Sequence, residues 1–267
     1  MTGALAGRRI VVTRGKGQSA RLVELLAERG ASVGEVPAIE IVAPPDRAPL
    51  DEALGALERY GWIVLTSANA VTAVLGRIAV LGLEPRLGGR GARLASVGPA
   101  TTAALRASFP ADRVSLEPGA GFRAEGLVAA FAEKGVRGQR VLVPSSTRAR
   151  EELVRGLRGL GAEVDVVAAY ATVEPEGLAE AVSRRLDEGF DLALFASPSA
   201  VEGFARAAGE RSAGLRVAVI GPTTAAAARA AGMDVRAVAE PSTAEGLVAA
   251  AERALSGLPP LRCVNAK

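Results

Sequence analysis

Short runs of Val, Ile and Leu alternate along this chain with longer stretches in which Ala, Leu, Glu and Arg recur at helical spacing. Arg9–Thr13 (RIVVT) predicts a buried strand. Ala20–Arg29 predicts a helix with Leu22, Leu25 and Leu26 on one face and Gly30 placed to end it. Ser32–Val42 reads as one extended stretch, and a Pro-containing break follows at Ala43–Pro49. Leu50–Glu58 predicts a helix, Trp62–Thr66 a strand and Ala68–Leu81 a helix. Arg93–Val97 leads into a helix after Gly98-Pro99, RVSLEP is a short strand, and Ala124–Glu133 is helical. The pattern then restarts with a strand at Arg140–Pro144, a helix at Thr147–Leu160 and an extended stretch at Glu163–Thr172. Strands at Leu192–Ala196, Arg216–Ile220 and Val235–Ala239 alternate with helices at Leu178–Leu186, Ala200–Ala208, Thr223–Ala231 and Ala244–Leu255. Nearly continuous apolar strands between helices predict an α/β fold with parallel sheets covered on both faces, joined by right-handed crossovers.

The restart is a repeat. LTSANAV (Leu65–Val71) is echoed by FASPSAV (Phe195–Val201), and SVGPATTAAL (Ser96–Leu105) by VIGPTTAAAA (Val219–Ala228). AEGLVAAF (Ala124–Phe131) returns as AEGLVAAA (Ala244–Ala251), and RRIVVTR (Arg8–Arg14) has a looser partner in QRVLVPS (Gln139–Ser145). The order is the same in both halves, so a duplicated α/β half accounts for most of the chain, and two similar lobes facing each other form a cleft suited to a ligand. The halves need not be the lobes. The two long extended stretches, Ser32–Val42 and Glu163–Thr172, have the length to run from one lobe to the other. The N-terminal strand–helix unit would then join the later strands of the second half. Composition does not choose between that arrangement and sequential lobes.

Composition narrows the chemistry. The 267 residues contain no histidine and one cysteine, Cys263, near the end. That removes His-based triads and His metal sites, makes an intrachain disulfide impossible and leaves no basis for a metal centre. Aromatics are only 3% of the chain and no dense basic run is present, so nucleic acid is not an expected partner. With 32 Lys and Arg against 29 Asp and Glu the charge is +3, carried mostly by Arg, which suits a small anion better. Neither a phosphate-binding GxxxxGK[ST] loop nor a GxGxxG between strand and helix occurs, so nucleotide cofactors have no support. The MTGALAGRR start lacks the apolar run of a signal peptide and no stretch reaches 18 uninterrupted apolar residues, so a cytoplasmic protein without a membrane span is expected.

Four segments share one design of apolar strand, small polar turn and helix: Thr66–Ala70, Gly98–Thr102, Ser197–Ala200 and Gly221–Thr224. In parallel sheets such turns lie at the carboxyl ends of the strands, where ligands bind. Each opens a helix with unpaired N–H groups and the positive end of the macrodipole. Glycine allows close backbone approach, and proline suits the first helical position because its missing N–H would be unpaired anyway. A carboxylate or phosphate is what this rim prefers. Any one of these turns is ordinary helix capping; four in two matched pairs are more than capping needs. Thr13, Arg14 and Arg148, which follow the first strand of each half, can reach an anion at the same edge. Tyr170 stands in AAYAT within an extended stretch, with Thr172 on the same side. Tyr60 and Trp62 flank a strand start and read as structural.

The ordered set VVTR, WIVLTSANAV, VGPATTAAL, YAT, FASPSAV, IGPTTAAAA and AEPSTAEGL, from Arg9 to about Leu255, resembles the uroporphyrinogen-III synthase family. The resemblance implies two flavodoxin-like domains joined by a two-stranded β-ladder with the ligand cleft between them. It favours a discontinuous domain 1 (residues 1–38 and 173–258), a domain 2 (residues 39–172) and a tail at residues 259–267. It implies a cofactor-free lyase without metal that cyclises hydroxymethylbilane, a linear tetrapyrrole with eight carboxylates, with inversion of ring D and loss of water. By match to the family's Y-x-T, Tyr170 is the candidate to assist hydroxide departure, since a phenol of pKa about 10 is protonated at neutral pH. The expected substrate-binding set is Thr13, Arg14, Thr66, Ser67, Asn69, Gly98, Thr101, Arg148, Ser197, Ser199, Gly221, Pro222, Thr223 and Thr224. The chain is expected to act as a monomer. The competing reading is a non-catalytic two-lobe protein that closes on a small anion; a fused module that kept the fold and lost turnover is a second.

Overall fold

The computed structural model describes residues 3–15, 17, 19–83, 92–108, 114–119, 124–146 and 151–258. The chain divides into two compact units, Met1–Glu40 with Val173–Lys267, and Ile41–Thr172. Each is built on its own sheet, and every pairing whose register is defined is parallel. Among the described residues no helix is long and apolar enough to cross a membrane.

In the first unit, β1 (Arg9–Val12), β2 (Ser32–Glu35), β9 (Leu192–Phe195), β10 (Arg216–Val219) and β11 (Asp234–Val238) form a sheet of order β11-β10-β9-β1-β2. One face carries α7 (Leu178–Glu188), α8 (Pro198–Ala208) and α9 (Pro222–Ala230), whose Val182, Phe204 and Ala228 pack on Val11, Phe195 and Val219. The other carries α1 (Ala20–Glu28) and α10 (Ala244–Leu255), whose Leu22, Leu26 and Leu247 pack on Ile10, Val12 and Leu194. Alternation along β1 explains the division: Val11 faces one layer while Ile10 and Val12 face the other.

The second unit repeats this plan. β3 (Glu40–Val42), β4 (Trp62–Leu65), β5 (Arg93–Ser96), β6 (Val114–Leu116), β7 (Arg140–Ser146) and β8 (Glu163–Val173) lie in the order β3-β8-β7-β4-β5-β6. Here α2 (Ala48–Gly55), α3 (Ala68–Leu81) and α4 (Pro99–Arg106) cover one face, and α5 (Ala124–Lys134) and α6 (Glu151–Gly159) the other. Trp62 meets Phe131 edge-on at 5.0 Å between ring centroids.

The sequence repeat and the structural units do not coincide. β7 is the repeat partner of β1 and β4 that of β9. Yet β1, with β2 on its other side, pairs with β9, while β7, with β8 on its other side, pairs with β4. The five-stranded unit therefore takes two strands from the first repeat and three from the second, and the six-stranded unit four and two.

Two expectations are corrected. Ser32–Val42 is not one extended stretch but two strands in different sheets, because Pro37 has no N–H to continue a ladder. The segment after β2 then turns onto α8, where Gly203 leaves room for the Ala38 carbonyl; a Cβ there would stand 2.5 Å from that oxygen. β3 and β8 are neighbours at the margin of the six-stranded sheet. The helix expected over Leu50–Glu58 ends at Gly55 and is followed by a 3-10 turn at Leu57–Arg59. Of the helix expected at Thr147–Leu160, residues 147–150 lie outside the described residues, as does the 259–267 tail.

Candidate functional site

The predicted site residues fall at the carboxyl ends of the strands of both sheets. In the six-stranded sheet, β4 runs into Thr66 and then Ser67, the N-cap of α3. The Ser67 hydroxyl accepts a hydrogen bond from the Ala70 N–H at 3.1 Å. The same oxygen lies 3.1 Å from the Tyr170 hydroxyl, which arrives on β8 from 103 residues away. Tyr170 is buried, and Thr66, Ser67, Asn69 and Thr172 are half-buried around the edge. On the neighbouring strand, β5 ends at Ser96 and Gly98 caps α4, its carbonyl accepting from the Thr101 and Thr102 N–H groups at 3.0 Å each.

The five-stranded sheet presents the matching edge. Ser197 caps α8 with backbone angles within a few degrees of those at Ser67 (φ −161, ψ 155 against φ −159, ψ 156) and accepts from Ala200 N–H at 3.2 Å. Gly221 caps α9, with Pro222 and Thr223 exposed on the first turn. Both Gly98 and Gly221 are extended, so glycine serves here for want of a side chain and not for an unusual φ. Arg14 follows β1 beside β9, half-buried, and its guanidinium pKa is lowered by burial. No described carboxylate pairs with it. A desolvated cation at a helix-start rim is a place for an anion.

Not every predicted side chain is available to a ligand. Thr13 is fully buried, and its hydroxyl donates to the Leu194 carbonyl at 2.8 Å, so it ties β1 to β9. Thr101 and Thr224 are buried, at 4% and 2% exposure, and turn into their own units. What those turns offer is backbone. Arg148 lies outside the described residues. Among the described residues no group of three or more His, Cys, Asp and Glu is placed to hold a metal.

The uroporphyrinogen-III synthase HemD family model matches residues 3–249. The chain belongs to the uroporphyrinogen-III synthase family. It is 33% identical over 260 residues to uroporphyrinogen-III synthase of Synechococcus elongatus, covering 93% of this chain and 96% of the relative. It is 29% identical over 239 residues to the chloroplastic uroporphyrinogen-III synthase of Oryza sativa subsp. japonica, covering 84% and 73%. Its fold is similar to that of a mutant uroporphyrinogen III synthase from the extreme thermophile Thermus thermophilus (TM-score 0.62, 17% identity, 93% of this chain and 99% of the other). It is also similar to that of the Helicobacter pylori protein (TM-score 0.58, 16% identity, 91% and 98%).

Within this family member one polar chain escaped the sequence reading. The Ser96 and Thr102 hydroxyls are 2.5 Å apart, and Thr102 donates to Glu117 at 2.8 Å. The link joins β5, the first turn of α4 and the end of β6 at the same edge as Ser67 and Tyr170. Its signals are a serine where the repeat has Val219, and a Glu-Pro pair recurring as Glu117-Pro118 and Glu240-Pro241.

Proposed function

We propose that the protein converts hydroxymethylbilane into uroporphyrinogen III with loss of water, as a cofactor-independent lyase. On this reading the two compact units are two flavodoxin-like domains, with boundaries near residues 38 and 172. The carboxyl edges of their sheets line one cleft, and the enzyme works as a cytoplasmic monomer. The β2-β1-β9-β10-β11 order supports the flavodoxin-like assignment. The observation that carries the reading is the hydrogen bond between Tyr170 and the Ser67 that caps α3. It sets a phenol beside the positive end of a helix, where a leaving hydroxide and substrate carboxylates can both be met.

The reaction needs little from reactive side chains. Tyr170 donates its proton to the terminal hydroxyl as the C–O bond breaks, so water leaves and an azafulvene-type cation forms. The substituted carbon of ring D attacks this cation to give a spiro intermediate, and fragmentation and recombination at the ring's free α-carbon invert it, that carbon losing the proton that restores the phenol. Hydroxymethylbilane left alone closes without inversion, so the enzyme's main task is to hold the chain folded for the attack that inverts. Amides at the starts of α3, α4, α8 and α9, with Arg14, hold the carboxylates. The Ser67 hydroxyl, which accepts from Ala70 N–H, fixes where the phenol points.

The test is an assay that feeds hydroxymethylbilane and separates the isomers. The type III product is expected. Type I alone, formed at the uncatalysed rate, would overturn the reading.

A further inference from the structure

At the amino-terminal edge of each sheet the two units place related residues on the same face. Asp191 N–H donates to Arg9 O at 2.8 Å, and Gly61 N–H to Arg140 O at 2.9 Å, so Arg9 and Arg140 are equivalent. The register then matches Ser32 with Glu163 and Gly34 with Asp165, since Arg9 pairs with Ser32, Val11 with Gly34, Arg140 with Glu163 and Leu142 with Asp165. Phe190 and Tyr60 each stand two residues before the next strand, and so correspond.

In the second unit this corner is filled. The Asp165 carboxylate accepts from Arg140 Nε at 2.8 Å and from the Tyr60 hydroxyl at 2.8 Å, and Glu163 adds a second negative charge near Arg140. In the first unit the two carboxylates are replaced by Ser32 and Gly34, and the phenol by Phe190. A cavity of about 330 Å³ opens there, bounded by Arg9, Gly34, Arg185, Glu188 and Phe190 among others. The Arg9 guanidinium donates to the Glu188 carbonyl at 2.5 Å. Arg185 holds the Glu188 carboxylate at 2.7 Å, and its guanidinium lies over Gly34, where a Cβ would come within 2.7 Å of Cζ. The Arg185 guanidinium thus stands on the half-exposed Glu188 carboxylate and the Arg9 guanidinium on the carbonyl of the same residue, beside the buried Val11 and Phe190.

We propose that this cavity binds a small organic carboxylate, whose anionic group meets the Arg185 guanidinium beside Gly34 in the role that Asp165 plays for Arg140 in the other unit. Arg9 and Arg185 bind the carboxylate, and Phe190 and Val11 receive the carbon body. The site lies at the opposite end of the sheet from Arg14 and Ser197, and it does not depend on the function proposed above.

Malonate is a suitable probe, titrated into the full chain at fixed ionic strength against sodium chloride, with amide NMR shifts and thermal unfolding as readouts. Shifts are expected at Gly34 and Gly189, with a rise in melting temperature beyond that given by chloride. Gly34→Asp supplies the missing carboxylate at the tip of a flexible neighbour. It should raise the melting temperature without malonate and weaken malonate binding at least ~tenfold. Arg185→Gln, which leaves the backbone untouched, should weaken binding similarly and decides the matter if Gly34→Asp does not fold. Malonate shifts absent from Gly34 and Gly189, or a wild-type malonate response in the folded variants, would overturn the proposal.

Discussion

The two units share a scaffold and divide their chemistry. The helix caps at Ser67 and Ser197 superimpose in backbone angle and hydrogen bond, and the Gly-Pro turns at Gly98 and Gly221 recur one strand further on. Around these fixed points the side chains differ. The six-stranded unit holds hydroxyls and an acid: Tyr170 on Ser67, and Ser96, Thr102 and Glu117 in a chain. The equivalents of Ser96 and Thr102 in the five-stranded unit are Val219 and Ala225, both buried, and that unit offers Arg14 where its sister has Ser145. Strand length contributes too. β2 stops at Glu35 after four residues, whereas β8 runs eleven residues to Val173, and Tyr170 stands in the part that β2 lacks. Backbone capping persists through duplication because it serves every helix start; the side chains beside it are free to specialise.

The amino-terminal edges differ most in energy. Asp191 is buried, accepts from the Arg9 N–H at 2.8 Å and pairs with the buried Arg8 at 3.3 Å; Arg8 also donates to the Leu255 and Leu258 carbonyls. The sister unit has Gly61 and Gln139 there. Asp191→Ala strands the Arg8 charge and should cost about 3–5 kcal/mol of stability, measured by chemical denaturation. A cost under about 1 kcal/mol would mean that water reaches Arg8 and the pair is dispensable.

Next in size, Tyr170→Phe should lower kcat about tenfold, or about 1.4 kcal/mol, with the type III isomer still formed. An unchanged rate would remove the acid role. The paired caps sharpen the contrast. Ser67→Ala and Ser197→Ala should each cost about 1 kcal/mol of stability, but only Ser67→Ala should also reduce turnover, since only Ser67 holds the phenol. Equal losses of turnover would contradict the division of labour.

The smallest effect is one of pH. Burial, with the hydrogen bond to Asp165, pushes the Tyr60 phenol up to about 12. A folded value above the unfolded value of about 10 gives stability that is full below pH ~10 and is lost as pH rises through 12. Tyr60→Phe, which copies Phe190, should flatten that alkaline decline in unfolding midpoints. A decline identical to the wild type's would assign it to other groups.

Much of this was legible from residues alone. Apolar runs marked the strands, and the repeated TSANA, GPATT, SPSA and GPTT turns marked the helix starts. What the sequence concealed depends on pairing. Ser32–Val42 is evenly extended in character, so only the missing donor at Pro37 separates β2 from β3. The Tyr60–Asp165–Arg140 and Ser96–Thr102–Glu117 contacts join residues far apart in the chain or on different strands, and need a known register to be seen. Thr13, Thr101 and Thr224 look like rim hydroxyls by position, but the last two are buried in the first turns of their helices, and Thr13 is spent on Leu194.

The central claim is that main-chain amides at the edges of both sheets hold the tetrapyrrole's carboxylates. Amide hydrogen exchange with and without uroporphyrinogen III tests it directly. The account predicts slowed exchange at the starts of all four helices, near Ser67–Ala70, Gly98–Thr102, Ser197–Ala200 and Gly221–Thr224. Protection confined to one unit, or falling away from these turns, would contradict it.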